Sequence, residues 1–183
     1  WQARSSPNSI WRDSYCGMIA EDLIRKEIKS WSSEVLEKPS DNFAGLPPCP
    51  YAKRAWSENK VFLHVTPDLE TALRIKNDDV ISKGEVKVVA WTGWESMSAE
   101  QFDEWIDAQN ASHKGTWMIG FHPEHPVDEL QDEFEGNDAP EYALILIQPL
   151  ADLSEASKRI LSKGYYQRYS MEDMNHVIER NAR

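Results

Sequence analysis

The sequence predicts an α/β domain built on a mixed four-stranded sheet with helices packed on it, an α+β arrangement being the alternative. Three observations carry this. Four short runs, Val61–Val65, Val86–Trp91, Thr116–Phe121 and Ala143–Ile147, are largely apolar, several of them at consecutive positions, the pattern of strands covered on both faces. Segments of helical period lie between and around them, giving the order α, α, β, α, β, α, β, β, α, α. At 183 residues, 40% apolar and 28% charged, the chain has an ordinary globular composition and the length to bury a core.

Each element has a local reason. Residues 1–17 carry Ser, Pro and Asn and read as an arm ahead of a single domain over 18–183. Ile24, Ile28, Trp31 and Val35 recur at helical spacing, so about 18–37 reads as an amphipathic helix, ended by Lys38-Pro39-Ser40-Asp41-Asn42. Pro50 fits the first position of a second, short helix through Ala55 or Trp56, with Cys49 as its N-cap. Thr66-Pro67-Asp68 opens a helix bearing Leu69, Leu73 and Ile75. Ser98-Ala99-Glu100-Gln101 is a capping box, followed by a buried stripe of Phe102, Trp105 and Ile106. Asp152-Leu153-Ser154 opens a helix to about Leu161, closed at Gly164. Ser170-Met171-Glu172-Asp173 caps the last helix, whose Met174, Val177 and Ile178 are expected to face inward.

Composition excludes several classes. A net charge of -11 disfavours nucleic acid and anionic membrane surfaces as partners. No apolar run has the length of a membrane span, and no signal peptide is expected within the chain as it stands; a start at Trp1 instead of Met leaves room for a leader, tag or further domain ahead of it. Cys16 and Cys49 are the only cysteines, too few for a disulfide framework, so a reducing, cytoplasmic setting is expected. There is no phosphate-binding Gly-Lys loop, no dinucleotide fingerprint, no Gly-x-Ser-x-Gly elbow and no zinc-finger spacing, and no cofactor is assigned. The acidic stretch Asp128 to Glu135 reads as a solvated face.

Two motifs carry candidate chemistry. A thiol at a helix start, between Pro48 and Pro50, meets free backbone N–H groups and the positive end of the helix dipole, which favours thiolate. Cys49 is therefore a candidate nucleophile or redox centre; the competing reading is a buried cysteine packed in a turn. Ala52 stands where a resolving cysteine would be, which removes Cys-x-x-Cys exchange. Phe121-His122-Pro123-Glu124-His125-Pro126 follows a strand, and strand ends in α/β folds bind ligands. His122 is a candidate base or ion-pair partner for Cys49; against it stands a histidine bonded to backbone in a rigid turn. His122 and His125, with Glu124, Asp128 and Glu129 nearby, are also weak metal candidates, because Pro123 and Pro126 oppose the helical turn that would bring both rings together. Lys53 lies one helical turn after Cys49 and, with Arg54, makes a basic spot for a small anionic substrate, to which Tyr51 is added. Among eight tryptophans, read mainly as packing, Trp91 and Trp94 are ligand-stacking candidates.

Pro48-Cys49-Pro50-Tyr51-Ala52-Lys53 and Phe121-His122-Pro123 together resemble an uncharacterised bacterial family, domain of unknown function 1415. Its members carry Leu-Cys-Pro-Phe-Ala-Lys after an N-terminal helix and Phe-His-Pro in the second half. The similarity runs over about Trp31 to Ala156 and implies a site shared by Cys49 and His122. The family's arginine, histidine and second arginine correspond to Asp138, Ile145 and Gln148, which implies a different substrate or a lost activity. The first expectation is thus a small enzyme joining a Cys49 thiolate to His122. The second is a non-catalytic acidic interaction or assembly protein with a protein partner or a second copy, and the third a histidine metal site.

Overall fold

A computed structural model describes residues 21–78, 81–112, 115–125 and 142–183. The arm at 1–17, Cys16, His113, the 128–135 stretch with Asp128 and Glu129, and Asp138 fall outside these residues. The chain is an α/β fold around an open mixed sheet of order β1-β2-β4-β3. In chain order it runs α1 (21–31), a π turn at Ser32–Leu36, a 3₁₀ turn at Asp41–Phe43, α2 (Ala52–Ser57), β1 (Val61–Thr66), α3 (Leu69–Asp78), β2 (Val86–Trp91), a 3₁₀ turn at Trp94–Ser96, α4 (Ala99–Ser112), β3 (Thr116–Phe121), β4 (Ala143–Pro149), α5 (Leu150–Leu161) and α6 (Met171–Ala182).

β1 and β2 are parallel, joined through α3, while β4 inserts antiparallel between β2 and β3. Alternation along each strand sorts the core into two faces. On the first, Val89 and Trp91 of β2, Met118 of β3 and Ala143, Ile145 and Ile147 of β4 meet Ala72 and Ile75 of α3 and Phe102 and Ile106 of α4. On the second, Leu63, Val88, Ala90 and Leu144 meet Ile28 of α1, with Trp31, Trp56 and Phe121 packed alongside. Covering on both faces is the physical reason that β2 and β4 are apolar at successive positions.

Local capping follows the sequence at α4 and α6, whereas α5 opens at Leu150 behind Pro149, two residues before the expected Asp152. Ser98 Oγ accepts the Gln101 N–H at 3.3 Å while the Gln101 side chain accepts the Ser98 N–H at 3.1 Å. Ser170 and Asp173 make the same reciprocal box at α6. Three further expectations are corrected. The first helix gives way at Ser32 to a π turn, whose Glu37 N–H reaches the Ser32 carbonyl at 3.0 Å while Ser32 Oγ accepts the Trp56 indole N–H at 3.0 Å. α2 begins at Ala52, because Pro50 and Tyr51 are spent in a turn and Tyr51 caps without a side-chain bond. On α6, Met174 and Val177 are half-buried, but Ile178 is 58% exposed and Met171 is 84% exposed.

Candidate functional site

Cys49 sits in a half-buried loop tied to the helical layer on the second face, its N–H bonded to the Leu36 carbonyl at 2.9 Å. The preceding Pro48 carbonyl accepts the Tyr165 hydroxyl. Tyr165 in turn packs with Phe43, Ile160, Tyr166 and Tyr169 in a small third core. Burial pushes the thiol pKa up, and Glu37 adds to this. The backbone N–H groups of Tyr51 and Ala52 act on the sulfur in the opposite sense, without overcoming the burial. The sequence argument for a low thiol pKa relied on a helix dipole; α2 has six residues and starts three positions beyond Cys49.

His122 lies at the other side of the sheet. Phe121 points to the second face, where its ring meets Trp31 edge-on at 5.6 Å. His122, one residue on, points to the first, 4% exposed, with its ring 5.5 Å from Trp94 and 5.4 Å from Phe102. The sheet therefore stands between His122 and the Cys49 loop, and the expected thiolate–imidazole pair is not assembled. The physical reason is the strand period: a one-residue step along a strand reverses the face.

The His122 loop is closed by its own rings. The His125 N–H bonds the His122 carbonyl at 3.0 Å, completing a turn. His122 Nδ1 accepts the Glu124 N–H at 3.2 Å, and His125 Nδ1 accepts the His122 N–H at 3.1 Å. A backbone N–H can only donate, so each Nδ1 is the acceptor and each neutral ring carries its proton on Nε2. His122 Nε2 then faces the Trp94 carbonyl at 3.5 Å, and His125 Nε2 faces Asp103 at 3.0 and 3.1 Å. Neither neutral ring keeps a spare lone pair for a base or a metal. Among the described residues no group of three or more His, Cys, Asp or Glu side chains converges as metal ligands do.

The substrate-binding candidates are scattered. Trp91 is 2% exposed, stacks on Phe102 at 5.9 Å, and gives its indole N–H to the Pro67 carbonyl at 3.0 Å. It is a core residue with no ring face open to a ligand. Trp94 packs against the His122 ring and the first core. Lys53 and Tyr51 are exposed beside the Cys49 loop, and Arg54 is paired with Glu58 at 2.6 Å. Ile145 is fully buried in the first core.

Two polar residues that the sequence analysis did not single out are structurally committed. Lys76, 2% exposed, donates to the Gln109 carbonyl at the end of α4, and burial lowers its pKa. Asn110, also 2% exposed, bonds both backbone groups of Met118, its Oδ1 accepting the N–H at 2.8 Å and its Nδ2 donating to the carbonyl at 2.9 Å. The available signal was a polar residue four positions after Ile106, on the apolar stripe of α4.

No protein-family model, curated protein or solved structure matches the chain. No helix among the described residues is long and apolar enough to cross a membrane.

Proposed function

We propose that this chain is a non-catalytic interaction protein that binds a partner through the outer stripe of α6. The observation that carries the reading is the setting of Met171, Met174 and Ile178, spaced three and four residues apart on one helix face. Met171 is 84% and Ile178 58% exposed, and Leu161 at the end of α5 is 57% exposed. α6 holds its own domain by other positions: Arg180 donates to Ser157 Oγ of α5, and Arg183 donates to the Asn110 carbonyl at 2.6 Å. An amphipathic helix whose apolar stripe faces outward is suited to a partner groove. At a net charge of -11 the chain favours a neutral or basic partner over an acidic one. A cytoplasmic setting fits a chain with two cysteines.

The test places a photo-crosslinking residue at Ile178 in the full chain, in extract from the source cell, with the same residue at exposed Lys53 as control. A discrete adduct from position 178, lost on Met171→Glu, is expected. Equal background from both positions overturns the reading.

A second reading keeps Cys49 as the nucleophile of a small enzyme, with Lys53 and Arg54 toward an anionic substrate. The two backbone N–H groups acting on the sulfur favour it, as does the motif resemblance to the bacterial family. Thiol labelling separates the readings. In a Cys16→Ser background, a packed Cys49 is modified about 10-fold or more slowly in the folded chain than in the unfolded one. Fast labelling below the ordinary thiol pKa restores the enzyme.

A further inference from the structure

We propose that the outer edge of β1 pairs antiparallel with β1 of a second copy of this chain, joining two four-stranded sheets into one. This inference is independent of the α6 reading. The Lys60 and Thr66 carbonyls accept the Val86 and Thr92 N–H groups at 2.8 and 2.9 Å, which turns the even-numbered residues of the strand toward β2. The N–H and C=O groups of Val61, Leu63 and Val65 therefore point the other way. Among the described residues nothing bonds them, and only β2 makes extended contact with β1. The strand has none of the devices that keep an edge apart: no charge, no proline and no bulge within Val61–Thr66.

The edge is complementary to itself. Three outward residues centred on Leu63 allow a two-fold in which Leu63 faces Leu63 of the second copy and Val61 faces Val65 of the second copy. Each such facing pair exchanges two hydrogen bonds, so all the outward groups of both strands are satisfied without overhang. Phe62, 37% exposed, then lies across from His64 of the second copy. Charge agrees with the antiparallel sense. Lys60 stands at the start of the strand, and Lys87 sits 4.4 Å over the Phe62 ring; Asp68 and Glu70 lie exposed just past the strand's end. Antiparallel pairing brings start to end, although Lys60 already has Glu58 at 3.0 Å. A strand edge alone buries little area, so the association is of the weak class, in the micromolar range.

The test combines sedimentation equilibrium with amide hydrogen exchange on the unmodified full chain, from micromolar to millimolar concentration. A concentration-dependent dimer is expected, with the Val61, Leu63 and Val65 amides becoming protected in step with it. Val61→Pro removes an outward donor without touching the β1–β2 ladder and should weaken the dimer about 10-fold or more, while Ile178→Glu leaves it unchanged. A monomer at every concentration overturns the proposal, whether the three amides exchange freely or are protected within one chain. A dimer in which they stay unprotected overturns it as well.

Discussion

At β3 the outward N–H and C=O of Met118 are taken by the Asn110 amide, and Arg183 straddles the same edge. The Arg183 guanidinium lies 5.6 Å from the Trp117 ring centroid on the second face while its Nη1 donates to the Asn110 carbonyl. At β1 the outward N–H and C=O groups of Val61, Leu63 and Val65 bond no described protein group. A carboxamide presents the same donor and acceptor as a peptide unit, so Asn110 acts as one residue of a missing fifth strand. An unpaired edge is a template for any extended chain, and closing it at its middle residue removes the register on which a foreign strand would nucleate. Among the described residues the β3 edge is thus closed at Met118 by a buried side chain, while the β1 edge carries neither such a group nor a charge.

The largest way to break this contrast is Asn110→Ala. It leaves the Met118 N–H and C=O buried without partners, and each orphaned group costs about 1 to 3 kcal/mol, so a loss of about 2 to 6 kcal/mol is expected. Urea unfolding followed by circular dichroism measures it as a lower midpoint at unchanged slope. The variant should also gain a second, concentration-dependent association through β3. A shift below about 0.5 kcal/mol would mean that water serves Met118 as well as the amide does.

Gly120→Ala comes next and probes the same strand from its face. A Cβ at Gly120 would lie 2.5 Å from Phe102 Cε1 and 3.0 Å from Ile106 Cγ1. Both side chains are packed between α4 and the sheet, with Phe102 fully buried. Relief requires lifting α4 and with it Asn110, so about 1 to 3 kcal/mol is expected from the same unfolding measurement. A double variant with Asn110→Ala should cost less than the two singles together, because both act through the seating of α4.

How far these features could be read beforehand depends on their range. The strands, their order and the boxes at Ser98 and Ser170 rest on period and on bonds spanning three residues, and those are local. The insertion of β4 between β2 and β3 joins residues more than fifty positions apart, and no local pattern encodes it. The same limit governed the site. Cys49 and His122 each sit in a distinctive local context, but which face of the sheet each occupies is decided by strand parity and by the path of the connections. α6 shows the limit of periodicity: Met174, Val177 and Ile178 were legible as an apolar stripe, while the outward turn of Ile178, alongside Met171, depends on what α5 and Asn110 offer the opposite side. Asn110 itself looked like any polar residue of a helix.

Arg183→Ala should weaken the β3 edge by about 1 kcal/mol, the sum of a cation–π contact and a hydrogen bond to a carbonyl, both partly solvated. Amide exchange resolves it better than global unfolding, since the end of α6 would fray before the sheet opens. Faster exchange limited to α6 is the expected result. Acceleration reaching Met118 would place Arg183 in the edge closure itself.

Phe62→Thr is the smallest of the set and tests the open side. The ring is 37% exposed and carries the Lys87 ammonium over its face, a contact worth about 0.5 kcal/mol at such a site. Threonine keeps the strand propensity, so monomer stability should fall by no more than about 0.5 kcal/mol. Thr at 62 also leaves every outward N–H and C=O in place, because the backbone of an even-numbered residue faces β2. If the free edge acts through its backbone groups, self-association of Phe62→Thr should stay close to that of the unmodified chain while Val61→Pro abolishes most of it. If the aromatic face provides the attraction, the order reverses. The pair of variants thus decides whether β1 differs from β3 by unsatisfied hydrogen bonds or by an exposed ring.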